Sequence, residues 1–138
     1  MQTFLPSPYF SEAAKMLDMR RLGKQRVECK QIYLALTEPT YGWKNHPAVK
    51  MWKGSEGWLA HYGAAICREW LRRGYKDSLL PWFEARVQLN STLPAWWYED
   101  TAEALFASHR SNLLRKNPDW YKQFGWKEPT TLEYVWPI

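Results

Sequence analysis

Residues 20–36, RRLGKQRVECKQIYLAL, decide how the chain is read. Wound at about 100° per residue, Leu22, Cys29, Ile32, Tyr33 and Leu36 fall on one apolar stripe, which predicts a helix with a single buried face. Gln25 and Arg26 lie inside that stripe and put an amide and a guanidinium where a core is expected. Along one edge Arg21, Gln25 and Glu28 follow at i, i+4 and i+7, so a cation, an amide and a carboxylate share a face. That is the raw material of a site. The same pattern also suits a cationic side chain reaching water along its apolar stem, or a solvated ion pair.

Working outward, residues 1–10 contain Pro6 and Pro8 and read as an extended arm. Ser11 is the expected cap of a short helix, SEAAKMLD, with Glu12 in its first turn. On the other side Thr37, Pro39 and Gly42 end the long helix, and either Asn45 or His46 caps the next, with Pro47 at its first position and Gly54 as its stop. Ser55 opens EGWLAHYGAAICREWLRRG, where Leu59, Tyr62, Ile66 and Trp70 recur at helical spacing and Gly74 closes the run. This is the expected core helix, and Gly63, Ala64 and Ala65 leave room for a close partner. Residues 75–100 lose periodicity except for a short helix expected at 82–89. After Asp100 comes TAEALFASHRSNLLRK, with Glu103 as a capping-box partner, and Asn117 and Pro118 then restart a short helix that stops at Gly125. The tail is irregular and is expected to pack its aromatics on the body. No strand pair and no repeat is visible, so the expected fold is all-α: one domain over residues 1–138, of about four to five helices with long irregular connections.

Composition narrows the function. The 138 residues suffice for one domain with a real core. No apolar run approaches the roughly 18 residues of a membrane span, and MQTFLPSPYF lacks the basic and apolar regions of a signal peptide, so a soluble, cytoplasmic protein is expected. Cys29 and Cys67 stand alone and read as buried thiols rather than a disulfide or zinc site. Phosphate loops, nucleophile elbows and metal-binding motifs are absent, and His46, His61 and His109 are too scattered for a metal. Net charge is +5 with pI near 9.2, and ten residues are Trp. Positive charge interleaved with flat π surfaces suits phosphate neutralisation and base stacking, and it equally suits an aromatic core under a basic surface.

Two basic clusters stand out. Arg20, Arg21, Lys24, Arg26 and Lys30 crowd the long helix. The second, HRSNLLRKNPDWYK, brings His109, Arg110, Asn112, Arg115, Lys116 and Lys122 together as candidate phosphate contacts, with Trp120 and Tyr121 able to stack on or wedge beside a base. Asn45, His46 and Lys50 add candidate DNA contacts at the third helix.

GWKNHPAVKMW, CREWLRRGYKD and NPDWYKQFG, the last behind HRSNLLRK, resemble in order and spacing the pyrimidine-dimer DNA glycosylase family of phage and bacterial dimer-repair enzymes, from near the first residue to about Gly125. The resemblance implies an all-α, single-domain DNA N-glycosylase with AP-lyase activity and no cofactor; duplex DNA is the expected partner and a monomer the expected state. It implies attack by the N-terminal α-amine on C1′ of the damaged nucleotide, through a Schiff base that permits β-elimination. An α-amine with a pKa near 7.7–8.0 is roughly a tenth unprotonated at pH 7, so such a nucleophile needs little activation. Met1 would carry it, since the bulky Gln2 favours retention of the methionine. Arg26 and Val27 match an Arg-Val pair on the family's catalytic helix, and Trp120, Tyr121, Lys122 and Gly125 match its C-terminal DNA-contacting block. The family's catalytic Glu directly follows an Arg, whereas Arg21 is followed by Leu22 and Gly23. Glu28 is therefore the carboxylate expected from helical geometry, with Asp18 second and Arg21 and Arg26 as phosphate- or sugar-orienting cations. The expected function is a DNA glycosylase/AP lyase on damaged or modified pyrimidines. The alternatives are a non-catalytic DNA- or nucleotide-binding protein on the same fold, and an enzyme on modified nucleotides outside repair.

Overall fold

Leu22, Cys29, Ile32 and Ala35 turn inward from helix α2 (Met19–Thr37), and Gln25 is buried among them at 2 % exposure. The stripe is where the periodicity puts it, except that Ala35 takes the core position while Tyr33 and Leu36 sit half-buried at its edge. The structure is a computed structural model that describes residues 1–89 and 92–138. Six further α-helices complete the described chain: α1 (Phe10–Met16), α3 (Pro47–Lys50), α4 (Glu56–Arg72), α5 (Leu80–Glu84), α6 (Asp100–Lys116) and α7 (Pro118–Tyr121). Single 3-10 turns occur at Ala95–Tyr98 and Lys122–Phe124. The fold is all-α, with no strand among the described residues and somewhat more helices than the sequence suggests. None of its helices is long and apolar enough to cross a membrane.

Helix α4 is the core helix. It buries Leu59, Tyr62 and Ile66 and runs antiparallel to α2, with Gly23 against Trp70 at one end and the Cys29 thiol on the Leu59 carbonyl at the other (3.5 Å). A Cβ on Gly23 would come within 2.8 Å of the Trp70 ring, so the glycine that interrupts the α2 pattern is what lets the two helices meet. The small residues of α4 do admit a close partner. It is α5, whose Phe83 ring would stand 2.4 Å from a Cβ on Gly63. Cys29 and Cys67 are free, buried thiols.

Several element boundaries differ from expectation for identifiable reasons. Helix α1 begins at Phe10 rather than after Ser11, because Ser7 accepts from the Tyr9 N–H and donates to Glu12 (both 3.2 Å). Helix α5 spans Leu80–Glu84, not 82–89, because the Asp77 carboxylate accepts from the N–H groups of Leu79 and Leu80 and fixes the start. Glu103 forms no capping box; it turns along α6 toward Arg110 (3.3 Å). Of the two candidate caps for α3, His46 serves, its Nδ1 accepting from the Ala48 N–H at 3.0 Å. Asn117 caps α7 through the Trp120 N–H.

Candidate active site

The extended arm ahead of α1 has no strand to pair with, so its backbone needs other partners. Side chains supply them. Gln25, the polar intrusion in α2, donates to the Gln2 carbonyl (2.6 Å) and accepts from the Phe4 N–H (2.9 Å), clamping both sides of Thr3. The Tyr62 hydroxyl lies 2.7 Å from the Phe4 carbonyl and 3.1 Å from Gln25 Oε1. The Leu5 N–H donates to His109 Nδ1 (2.8 Å), and the Trp52 indole donates to the Thr3 hydroxyl (3.0 Å). Removing the Gln25 amide would leave two buried backbone groups without partners, each at a cost of about 1–3 kcal/mol.

The clamp aims the chain's beginning. The Gln2 N–H donates to Glu28 Oε2 at 3.2 Å, and the Met1 amine is three covalent bonds from that N–H, which keeps it within about 7 Å of the carboxylate. Met1, Glu28 and Gln25 line one cavity of about 430 Å³. Its rim carries Arg20, Arg21 and Lys24 of α2 and Lys116 of α6, and two aromatic residues, Phe4 and Tyr134, complete the walls. Among the described residues Glu28 is the sole carboxylate lining it, against four cations and the chain's first residue. Lys24 approaches Glu28 at 3.8 Å but is three-quarters exposed, so that pair is weak. Burial, and then repulsion from Arg21, Arg115 and Lys24, lowers the Lys116 pKa. Such crowding of cations makes a field that attracts phosphate. The His46 pKa is also lowered, first by burial and then by the amine, with Glu28 opposing; the imidazole therefore stands within electrostatic reach of both groups. A larger cavity of about 510 Å³ between α1 and α4 is walled by Phe10, Trp58 and Trp97. Its one carboxylate, Glu69, is already held by Arg72 and Arg73, whereas Glu28 in the smaller cavity has only the weak Lys24 pair.

The remaining sequence candidates divide by burial. Arg20, Lys24, Asn45, Lys50, Arg115, Lys116 and Lys122 are exposed. Arg26 does not reach the cavity: it pairs with the buried Asp77 at 2.5 Å and stacks 4.7 Å over Trp70, which corrects its expected role as a phosphate- or sugar-orienting cation. His109 is fully buried and holds the arm rather than a phosphate, its pKa pushed down to about 3 by burial. Arg110 is engaged by Glu128 (2.9 Å), Glu103 and the Pro6 carbonyl, and Asn112 bridges the carbonyls of Ser108 and Leu132. Both amide hydrogens of Asn112 are used, and four of the five guanidinium donors of Arg110 are. Tyr121 is buried too, its hydroxyl donating to Asp18 Oδ1 and accepting from the Asp18 N–H. With Arg21 also 3.3 Å from it, Asp18 is committed to that lock and does not line the cavity. Trp120 is half-buried, its indole on the Met16 carbonyl and the Arg73 guanidinium over its ring.

Two contributors, Phe4 and Tyr134, are not among the sequence candidates, and the role of a third, Gln25, is not foreseen. Gln25 was visible as a polar residue on an apolar stripe, though its target was not. Phe4 and Tyr134 carry no signal of their own, because an aromatic in an irregular segment reads as packing. No metal-ligating cluster occurs among the described residues.

No curated protein and no solved structure matches the chain. A family model for pyrimidine dimer DNA glycosylase matches residues 1–80, which contain the arm, α2, Glu28 and the cations of the α2 rim. The block at 117–125 that carries much of the resemblance lies beyond that match. With more than half of its 138 residues matched, the chain belongs to the pyrimidine dimer DNA glycosylase family.

Proposed function

We propose that the protein is a DNA glycosylase with AP-lyase activity on pyrimidine lesions in duplex DNA, with the Met1 amine as nucleophile and Glu28 as the assisting carboxylate. The observation that carries this reading is the Gln2 to Glu28 hydrogen bond, which draws the amine into a cation-rimmed cavity beside the only carboxylate there. The amine lone pair attacks C1′, and the glycosidic bond breaks with its electrons leaving on the base, which takes up a proton. Loss of a proton from nitrogen as the sugar ring opens gives an iminium at C1′. The Glu28 carboxylate stabilises positive charge on the sugar and accepts a proton. Removal of a C2′ proton then expels the 3′ phosphate, and water releases the amine. Arg20, Arg21, Lys24 and Lys116 hold the phosphates flanking the extruded nucleotide.

Borohydride reduction during incubation with a dimer-bearing or abasic duplex is the test. The expected result is a covalent protein–DNA adduct from the chain that begins at Met1, verified by intact mass, and none when a peptide extension precedes Met1. An adduct that persists with the extension would remove the amine from the mechanism. Salt-dependent binding without any adduct would leave a non-catalytic DNA-binding protein.

A further inference from the structure

Residues 126–136 lie outside the segment matched to the family, and they are fastened to α6 by its polar side chains. Ser111 donates to the Pro129 carbonyl and accepts from the Leu132 N–H (3.0 Å), and Asn112 donates to the Leu132 carbonyl (3.0 Å). Arg115 donates to the Thr130 carbonyl (2.8 Å), Ser108 accepts from the Val135 N–H (3.2 Å), and Arg110 holds Glu128. Bonds at Leu132 and Val135 thus fix the register on both sides of Tyr134. Its ring stands edge to face with His109 at 5.6 Å, and Phe4 of the arm meets the same imidazole at 5.9 Å. His109 is therefore a buried post carrying two aromatic rings, one from each end of the chain, both lining the cavity that holds Met1 and Glu28. Burial raises the Tyr134 pKa, so its phenol stays neutral.

We propose that Tyr134 is the stacking face for the base of the nucleotide brought to the Met1 amine, so that the C-terminal tail completes the active site; this rests on the glycosylase reading above. A base drawn out of the duplex loses its stacked neighbours, and an aromatic ring held in place restores part of that energy. The cations at the rim bind phosphates whatever the base, and Glu28 and the amine address the sugar. The aromatic walls offer the flat surface that a nucleotide carrying a base can use and one that has lost its base cannot.

Cleavage of the N-glycosidic bond in a single turnover on a thymine-dimer duplex, read as thymine freed by subsequent photoreversal because the cyclobutane ring keeps the cleaved base tethered to its neighbour, is compared with borohydride trapping on a duplex with a preformed abasic site and separates these roles. Tyr134→Ala should slow glycosidic cleavage by about tenfold or more while leaving abasic trapping within about twofold, and Tyr134→Phe should match the parent on both. Thermal melting accompanies each variant, and Tyr134→Leu, which keeps an apolar plug without a π face, substitutes if the alanine variant melts early. Equal losses on both duplexes, or none on either, overturn the stacking role, as does a parent chain that traps only on the abasic duplex. A parent chain that traps on neither removes the glycosylase reading itself, and Tyr134's assignment with it.

Discussion

Arg21 of α2 and Arg110 of α6 are buried to similar degrees, with side chains 22 % and 16 % exposed, and both sit in basic, polar-rich helices. Their surroundings separate them. The tail and the arm lie across α6 and bring Glu128 and the Pro6 carbonyl to Arg110, beside Glu103 of α6 itself. The arm crosses α2 only as far as Gln25 and Glu28; Arg21 is shared with Asp18 at 3.3 Å, and the exposed Arg20, Lys24 and Lys116 stand with it around a cavity with one acid. A cation's role is set by the anions that other segments bring to it. On α6 these amount to a fold, and on α2 they leave a surplus that suits phosphate.

The comparison can be broken most sharply at Glu28. Glu28→Gln keeps an acceptor for the Gln2 N–H but removes the charge, so excision and adduct formation should fall by about 10²–10⁴ while the melting temperature stays near the parent value. A fully active glutamine variant would move the chemistry elsewhere.

His109 provides the next test, on stability. Its folded pKa of about 3 lies below the ordinary value of 6.5, so as pH falls the unfolded chain takes up the proton first. The contribution is intact above about pH 6.5 and declines as pH falls from there toward 3, by up to about 1.4 kcal/mol per pH unit, or about 2 kcal/mol at pH 5. Denaturant titrations at pH 7 and pH 5 should show that loss, and His109→Asn, which can still accept from Leu5, should show less of it. Equal acid sensitivity in both chains would mean the imidazole is not the titrating group.

Arg110→Ala should cost about 1–3 kcal/mol of stability, because it strands Glu128 and the Pro6 carbonyl, and it should leave the salt dependence of DNA binding unchanged. Lys24→Ala should do the reverse with the smallest change: stability within about 0.5 kcal/mol and a log–log salt slope shallower by about one. A reduced salt slope for Arg110→Ala would place α6 in the DNA interface after all.

Much of this was legible in the residue order. The α2 stripe, the core role of α4, the restart at Asn117 and the misfit of Gln25 all follow from local periodicity and capping, which act over a few residues. Glu28 was reachable the same way, since its place on the Gln25 edge is a matter of helical spacing. Arg26 was misread because its partner, Asp77, is 51 residues away, and Tyr121 because its hydroxyl meets Asp18 across 103. His109, Arg110 and Asn112 looked like a phosphate surface because their polarity was visible while the tail and arm that cover them were not.

The sequence alone therefore determined the helices, their apolar faces and the presence of two polar, cationic clusters, since backbone propensity and side-chain period are properties of neighbouring residues. Only the tertiary structure decided which cluster stays open. Whether a cation is free depends on carboxylates and carbonyls delivered by distant segments, and packing brings Glu128 and Pro6 to α6 while it brings the chain's first residues and an extra cation to α2.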